Sequence, residues 1–195
     1  MSDLTITHAG STITRSADSP GSSISTGKHK IIRVTPTITE DSAYADGDSL
    51  FNATEIPNAV RGDGGTSKLV SAYVVDEDSQ VAVWEMIFTQ KATNFATSGM
   101  HNTADVTFDN AVASNICGFA VINGDTDSLD IDNFKMQQTL TGIAPPSTGH
   151  PAISLPILLQ AEEGSTSVYV QGVIFSGTPT YTNTDSLQLI FHIEY

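Results

Sequence analysis

The sequence predicts an all-β chain: an antiparallel β-sandwich of jelly-roll type with one short helix and an extended N-terminal arm. Short runs rich in Val, Ile and aromatic residues recur along the chain, and clusters of Gly, Pro, Asn, Asp, Ser and Thr separate them. Apolar residues never keep a helical period over a long window. The chain has 195 residues and is 39% hydrophobic, so we expect an arm at 1–30 and one β-sandwich domain at 31–195.

The arm is defined by its composition. Residues 1–27 are dominated by Ser, Thr and Gly and hold too little apolar surface to fold alone. Leu4, Ile6, Ile13 and Ile24 recur sparsely among them, and residues 4–7 alternate as a strand does. We expect these four apolar residues to anchor the arm on a partner; the other interpretation is an ordinary frayed terminus.

Charge is distributed unevenly between the arm and the body. Residues 1–39 hold Arg15, Lys28, Lys30 and Arg33 against two acidic residues, a balance of +2, which leaves −16 for the remainder of a chain whose formal charge is −14. A basic arm predicts contact with an acidic surface, its own or a neighbour's, although four basic residues among 39 are also ordinary. The overall charge argues against nucleic acid and anionic membrane as partners, because phosphate would be repelled.

The body opens with a β-branched strand at 31–35, and Pro36 after it favours an edge position or a bend. Stronger strands are predicted at 68–75 and 81–88. The polar residues 76–80 between them predict a hairpin-like connection.

One short helix is predicted, at 107–115, where Thr107 or Asp109 can cap one or two turns. The remaining predicted strands are at 116–122, 153–159, 167–175 and 186–195.

Acidic pairs are the first places to look for a hard cation. Asp76 and Asp78 form one pair, and residues 123–132 hold two more, Asp125 with Asp127 and Asp130 with Asp132. Calcium needs six to eight oxygens that converge on one point, and residues 123–132 lack the order of a calcium-binding loop. We therefore interpret these residues as solvated turn carboxylates.

Other reactive side chains lack a catalytic context. The five histidines show no zinc-binding spacing, so a zinc site would have to be assembled through the fold. His192 alternates with apolar neighbours and is expected on a sheet surface. The single cysteine, Cys117, excludes an intrachain disulfide and is typical of a small buried hydrophobe rather than a catalytic thiol. Trp84 is expected in the core, although sugar binding is the alternative.

Hydrolase and phosphate-binding motifs are missing from the sequence, and we expect a non-enzymatic protein without a cofactor. The N-terminus lacks the basic and apolar regions of a signal peptide, and no stretch approaches a membrane span, which predicts synthesis in a cytoplasm. Arg61-Gly62-Asp63 can be an adhesion signal or a turn. We expect a turn in which Gly62, Gly64 and Gly65 supply positive φ values.

Ten short segments of the body form an ordered pattern: 44–51 (YADGDSLF), 58–61 (NAVR), 64–69 (GGTSKL), 74–76 (VVD), 83–88 (VWEMIF), 104–110 (ADVTFDN), 116–118 (ICG), 169–174 (YVQGVI), 178–181 (TPTY) and 187–189 (LQL). Taken in order, they resemble a family of structural proteins of tailed-phage virions. The resemblance covers roughly 31–195 and rests on order and spacing, because each motif is short. The arm and the loop at 143–147 depart from the family pattern, which leaves the position in the virion open.

The resemblance implies a protein that decorates and cements a capsid on its outer surface by binding the major capsid protein. It implies no cofactor and no catalytic residue. A homo-oligomer, trimer or dimer, fits the local symmetry axes of a shell. The expected contact residues are those of the arm: Leu4, Ile6, Ile13, Arg15, Ile24, Lys28, Lys30 and Arg33.

Two other classes of protein stay open at this point. A tail-associated or fibre-associated module that binds host glycans should expose aromatic residues on loops, where this chain offers Tyr44, Tyr181 and Phe95. A metal-assisted hydrolase needs His and carboxylates that converge through the fold.

Overall fold

A computed structural model describes residues 4–8, 11–15, 29–95, 110–125, 128–131, 134–139 and 155–195. Its strands, in chain order, are β1 Leu4–His8, β2 Ser11–Arg15, β3 His29–Val34, β4 Ser49–Ile56, β5 Thr66–Asp76, β6 Val83–Thr89, β7 Ile116–Asn123, β8 Ser128–Ile131, β9 Phe134–Gln138, β10 Ile157–Gln160, β11 Val168–Ser176 and β12 Leu187–Glu194. One helical turn, α1 Asn110–Ala113, precedes β7.

The described body consists of two antiparallel sheets. Sheet I has the order β3-β12-β5-β9-β8, and β10 also pairs with β5. Sheet II has the order β4-β11-β6-β7. The prediction of an all-β chain with antiparallel sheets is therefore confirmed.

Strand alternation directs apolar side chains from both sheets into one core. Leu69 and Val74 of β5 and Leu189 and Phe191 of β12 are buried and face sheet II. The rings of Phe88 in sheet II and Phe191 in sheet I meet edge to face, with centroids 5.9 Å apart. This contact joins the two sheets directly.

The predicted core position of Trp84 is confirmed, because the residue is 1% exposed. Its ring meets that of Phe51 edge to face at 5.8 Å, within sheet II. Gly172 on the intervening strand β11 leaves the space that the Phe51 ring occupies, since a Cβ there would lie 2.5 Å from Phe51 Cε1.

A second, smaller cluster covers the outer face of sheet II. Ile87 points outward from β6, and Phe95 and Val112 pack on it from the connection between β6 and β7. Ile116 and Val173 border this cluster. The chain thus covers part of this outer face with its own connecting segment.

The hairpin-like connection predicted at 76–80 is wrong. β5 lies in sheet I and β6 lies in sheet II, so residues 77–82 cross from one sheet to the other. A polar turn has the same sequence pattern whether the two flanking strands pair with each other or lie in different sheets. The packing of the two sheets around a shared core determines which of these arrangements forms.

Other predicted elements agree with the structure to different extents. The strands predicted at 31–35, 68–75, 81–88, 116–122, 167–175 and 186–195 overlap β3, β5, β6, β7, β11 and β12. Residues 107–109 of the predicted helix lie outside the described residues, and α1 is a single turn. Among the strands of the body, β4, β8 and β9 had no counterpart among the strands predicted from the residues.

We expect Gly172→Ala to destabilise the protein by about 2–3 kcal/mol, because the added Cβ overlaps the Phe51 ring in a close-packed core. Gly164→Ala is the matched control: its φ is +81° and nothing lies within 4 Å of the added Cβ. The control should lose about 1 kcal/mol, from backbone strain alone. Denaturant unfolding measures both changes, and equal losses would contradict the packing assigned to Gly172.

Candidate functional site

The two strands of the arm form a hairpin with two different faces. β1 and β2 pair antiparallel, with Ile6 opposite Ile13 and Leu4 opposite Arg15. Residues opposite each other in an antiparallel pair share a face. By register, one face of the ribbon holds the positions of Leu4, Ile6, His8, Ser11, Ile13 and Arg15, which include all three apolar residues, and the other holds those of Thr5, Thr7, Thr12 and Thr14.

The structure does not bring all of the predicted arm residues together. Lys30 and Arg33 both lie in β3, but an odd spacing places them on opposite faces of the strand. Arg33 is exposed, whereas Lys30 is half-buried and its Nζ donates to the Asn58 carbonyl at 3.5 Å. Ile24 and Lys28 lie outside the described residues.

A buried carboxyl organises the crossing between the sheets. Asp76 ends β5 and is 1% exposed. Its Oδ1 accepts the backbone N–H of Asp78 at 3.0 Å, and its Oδ2 accepts that of Gln80 at 3.1 Å. The side-chain amide of Gln137 on β9 also donates to Oδ2, at 3.5 Å. One side chain thus holds the turn at 76–80 against the inner side of sheet I.

The same turn clamps the loop before β12. The carboxylate of Asp78 accepts both the backbone N–H of Thr182 at 2.9 Å and its hydroxyl at 2.7 Å. The side-chain oxygen of Gln80 accepts the backbone N–H of Thr180 at 2.9 Å. Each acceptor satisfies a loop donor, so the arrangement is a structural clamp.

The pKa of Asp76 is raised to about 6, mainly by burial and to a smaller extent by the nearby charge of Asp78. The hydrogen bonds from the backbone of Asp78 and Gln80, and the charge of Lys135, act in the opposite direction. The interpretation of Asp76 as a solvated turn carboxylate is therefore wrong, because the side chain is almost completely withdrawn from water.

The second acidic stretch also differs from a cation site. Asp130 lies 3.9 Å from Nζ of Lys135, which is 5% exposed and donates to the Gly124 carbonyl at 3.3 Å. Asp127 and Asp132 lie outside the described residues. Among the residues that the structure describes, no three His, Cys, Asp or Glu side chains form a group that could hold a metal ion.

Lys135 and Gln137 are buried polar residues that sequence reasoning missed. β9 reads Phe-Lys-Met-Gln-Gln, and its polar positions Lys135 and Gln137 face the interior, whereas Phe134 and Met136 are only half-buried on the other side. This pattern is inverted relative to an ordinary sandwich strand. No sequence signal marks it.

Cys117 and His192 both occupy structural positions. Cys117 is half-buried, and burial raises the pKa of its thiol, which donates to the Gln160 carbonyl at 3.4 Å. A raised pKa disfavours the thiolate that a nucleophile needs. His192 is half-buried on the outer side of sheet I, with its ring 5.3 Å from that of Tyr73, which matches the predicted sheet-surface position.

Arg61-Gly62-Asp63 lies in the turn between β4 and β5. Gly62 and Gly64 have φ values of +80° and +65°, as predicted. Gly65 does not have a positive φ, so that part of the prediction is wrong. Its role is close approach, because a Cβ there would lie 2.3 Å from the Arg61 carbonyl oxygen.

No family model, curated protein or solved structure matches this chain. Over the part of the chain that the structure describes, no helix has the length and apolar character needed to cross a membrane.

We expect the stability contribution of Asp76 to fall as pH rises. The native carboxyl, with a pKa of about 6, binds its proton more tightly than the unfolded one at 3.8. Stability therefore decreases as pH rises through this window, by about 3 kcal/mol in total, and the loss is complete above the native pKa.

The free energy of unfolding of the wild type minus that of Asp76→Asn should accordingly drop between pH 4 and pH 7. Asp63→Asn makes the same chemical change at an exposed turn position and is the matched control. A difference between wild type and Asp76→Asn that stays constant with pH would contradict the burial of this carboxyl.

Proposed function

We propose that this chain is a non-enzymatic structural protein of a phage particle, which decorates and cements the capsid by binding subunits of the major capsid protein. It is made in the host cytoplasm and acts on the outer surface of the shell. The observation that carries the proposal is a hairpin with its apolar positions on one face, joined by residues 16–28 to β3, an edge strand of the body. The resemblance of ten ordered segments to virion proteins supports it.

The hairpin supplies the means of attachment. A two-stranded hairpin alone is marginally stable in water, so its structure depends on burying its apolar face on a partner. Leu4, Ile6 and Ile13 provide that face, and Arg15 lies beside Leu4 in the register. Binding must offset the entropy of ordering the arm, which is the usual cost for a segment that orders on its partner.

The body is a β-sandwich of jelly-roll type in this proposal. The eight principal strands, numbered one to eight along the chain, are β3, β4, β5, β6, β7, β9, β11 and β12. In these numbers the strand order is 1-8-3-6 in sheet I and 2-7-4-5 in sheet II. This alternation between sheets supports two Greek keys wound together, an architecture common in viral capsid domains. Such a body is rigid and presents its edges and outer faces to neighbours.

Shell symmetry and charge complete the proposal. Copies placed around a local two-fold or three-fold axis form dimers or trimers. The strongly acidic body keeps free copies soluble, and Arg15 adds a positive charge beside Leu4 on the hairpin.

The glycan-binding alternative receives no support from its own candidate residues. Tyr44, Tyr181 and Phe95 are each 1% exposed, so none forms a stacking platform for a sugar. Tyr44 and Tyr181 instead meet edge to face at 6.1 Å inside the body. We therefore do not propose glycan binding.

Binding to shells that lack the protein tests the proposal. We expect the full chain to co-sediment with such shells and a chain without residues 1–27 to bind at least about tenfold more weakly, because the apolar face of the hairpin is lost. Failure of the full chain to decorate shells would overturn the capsid role. Equal binding by the truncated chain would overturn the role of the arm alone.

A matched pair of substitutions tests the role of the arm more specifically. Ile6→Asp places a charge on the apolar face of the hairpin, whereas Thr7→Asp places the same charge on the threonine face. We expect only Ile6→Asp to weaken binding to shells. Equal effects of the two substitutions would contradict the assignment of faces.

A further inference from the structure

The outer face of sheet I, on the side away from the core, carries a concentration of exposed apolar residues. The described residues include eight large hydrophobic side chains that are exposed, and five of these lie on this face. They are Ile31 of β3 (53% exposed), Val70 of β5 (43%), Leu129 (60%) and Ile131 (42%) of β8, and Leu158 of β10 (61%). We call this surface the open face.

Neighbouring apolar residues extend the exposed group on β8 toward the centre of the sheet. Leu129, Met136 and Val75 are direct cross-strand partners on β8, β9 and β5. On β12, Ile190 lies opposite Tyr73 of β5 but is only 8% exposed, and the direct partner of Ile31 is His192. The continuous apolar surface therefore runs from β8 across β9 to β5, and Ile31, Val70 and Leu158 lie around it on the same face of sheet I. Isolated exposed hydrophobic residues need no explanation, but a continuous patch marks an interaction site.

The two outer faces of the body differ in how they are covered. On sheet II, Phe95 and Val112 from the connecting segment pack over Ile87. On sheet I, no segment within the described ranges packs over Ile31, Leu129 or Leu158, which each stay more than half exposed. The inverted pattern of β9 adds to this difference, because Phe134 and Met136 take the outward positions.

The open face is large enough for an interface between two proteins. The six strands of sheet I have 4 to 11 residues each, and at about 3.3 Å per residue and about 4.8 Å between strands they cover an area on the order of 600 Å². Two such faces would together bury about 1,200 Å², which lies at the lower end of standard protein interfaces.

Charge indicates which partner fits. The chain as a whole carries −14, so copies repel each other over most of their surface. The charged residues at outward positions on the described strands of sheet I are Arg33, Lys68 and Glu194, a balance of +1. Lys68 and Glu194 already neutralise each other at 3.7 Å. Two acidic copies can therefore approach through this face without the repulsion that opposes contact elsewhere.

We propose that the open face binds a second copy of this chain, sheet against sheet about a two-fold axis. A two-fold contact sets the same apolar surface against itself, so one patch supplies both halves of the interface. The side chains of the two faces interdigitate as they do between the sheets of a sandwich. This contact specifies the interface of the homo-oligomer in the proposed function, but the contact can form without a capsid.

Sedimentation velocity of the purified full chain tests the inference. We expect the wild type to sediment as a dimer at micromolar concentration. Ile31→Asp and Leu129→Asp should each weaken the dimer at least about tenfold, since each charge enters the interface twice. Val81→Asp is the matched control, because Val81 is 55% exposed but lies outside the strands of sheet I. It should sediment as the wild type does.

Two outcomes would overturn the inference. One is a wild type that stays monomeric; if removal of residues 1–27 then produced dimers, the open face would belong to the hairpin of the same chain. The other is a dimer that Ile31→Asp, Leu129→Asp and Val81→Asp affect equally. Thermal unfolding of each variant confirms that the body stays folded. Neither outcome depends on shell binding, so failure here is distinct from failure of the capsid role.

Discussion

Face-to-face packing of the two sheets across one aromatic core is the constraint on which the rest of the structure depends. Phe88 and Phe191 meet across it, and Phe51 and Trp84 extend it within sheet II. Both sheets contribute side chains to this core, and most connections between consecutive strands lead from one sheet to the other. Each crossing carries backbone groups past the apolar interior, and those groups need partners. At the crossing between β5 and β6, the buried carboxyl of Asp76 accepts hydrogen bonds from two of these backbone N–H groups.

The same constraint decides which surfaces remain for other molecules. A two-sheet body uses its inner faces for its own stability and leaves two outer faces and the edges. The connecting segment with Phe95 covers part of one outer face. We propose that the open face of sheet I binds a second copy of the chain and that the arm leading into β3 binds the capsid. In this proposal the two contacts use separate surfaces, so oligomer formation does not compete with attachment.

Sequence reasoning succeeded where burial alone determines the pattern. Apolar residues alternate along β5 and β12, which face a common core, and this alternation predicts both strands. The sequence of β9 does not predict a strand in this way, because the polar residues Lys135 and Gln137 face inward, beside Asp76. The burial of Tyr44, whose hydroxyl donates to the Leu50 carbonyl at 3.1 Å, was equally invisible, since loop and core aromatics look alike in a sequence. For the arm, the sequence identified the apolar residues, but the pairing of β1 with β2 was needed to place them on one face.

Amide hydrogen exchange of the full chain, free and bound to shells, tests the central claim that a rigid body attaches through its arm. We expect slow exchange in β5, β11 and β12 in both states, because these strands are paired on both sides within the sheets. We expect the amides of residues 4–15 to exchange fast in the free protein and to become protected on the shell. Residues 4–15 that exchange equally fast in both states, while protection appears elsewhere on the body, would contradict this claim.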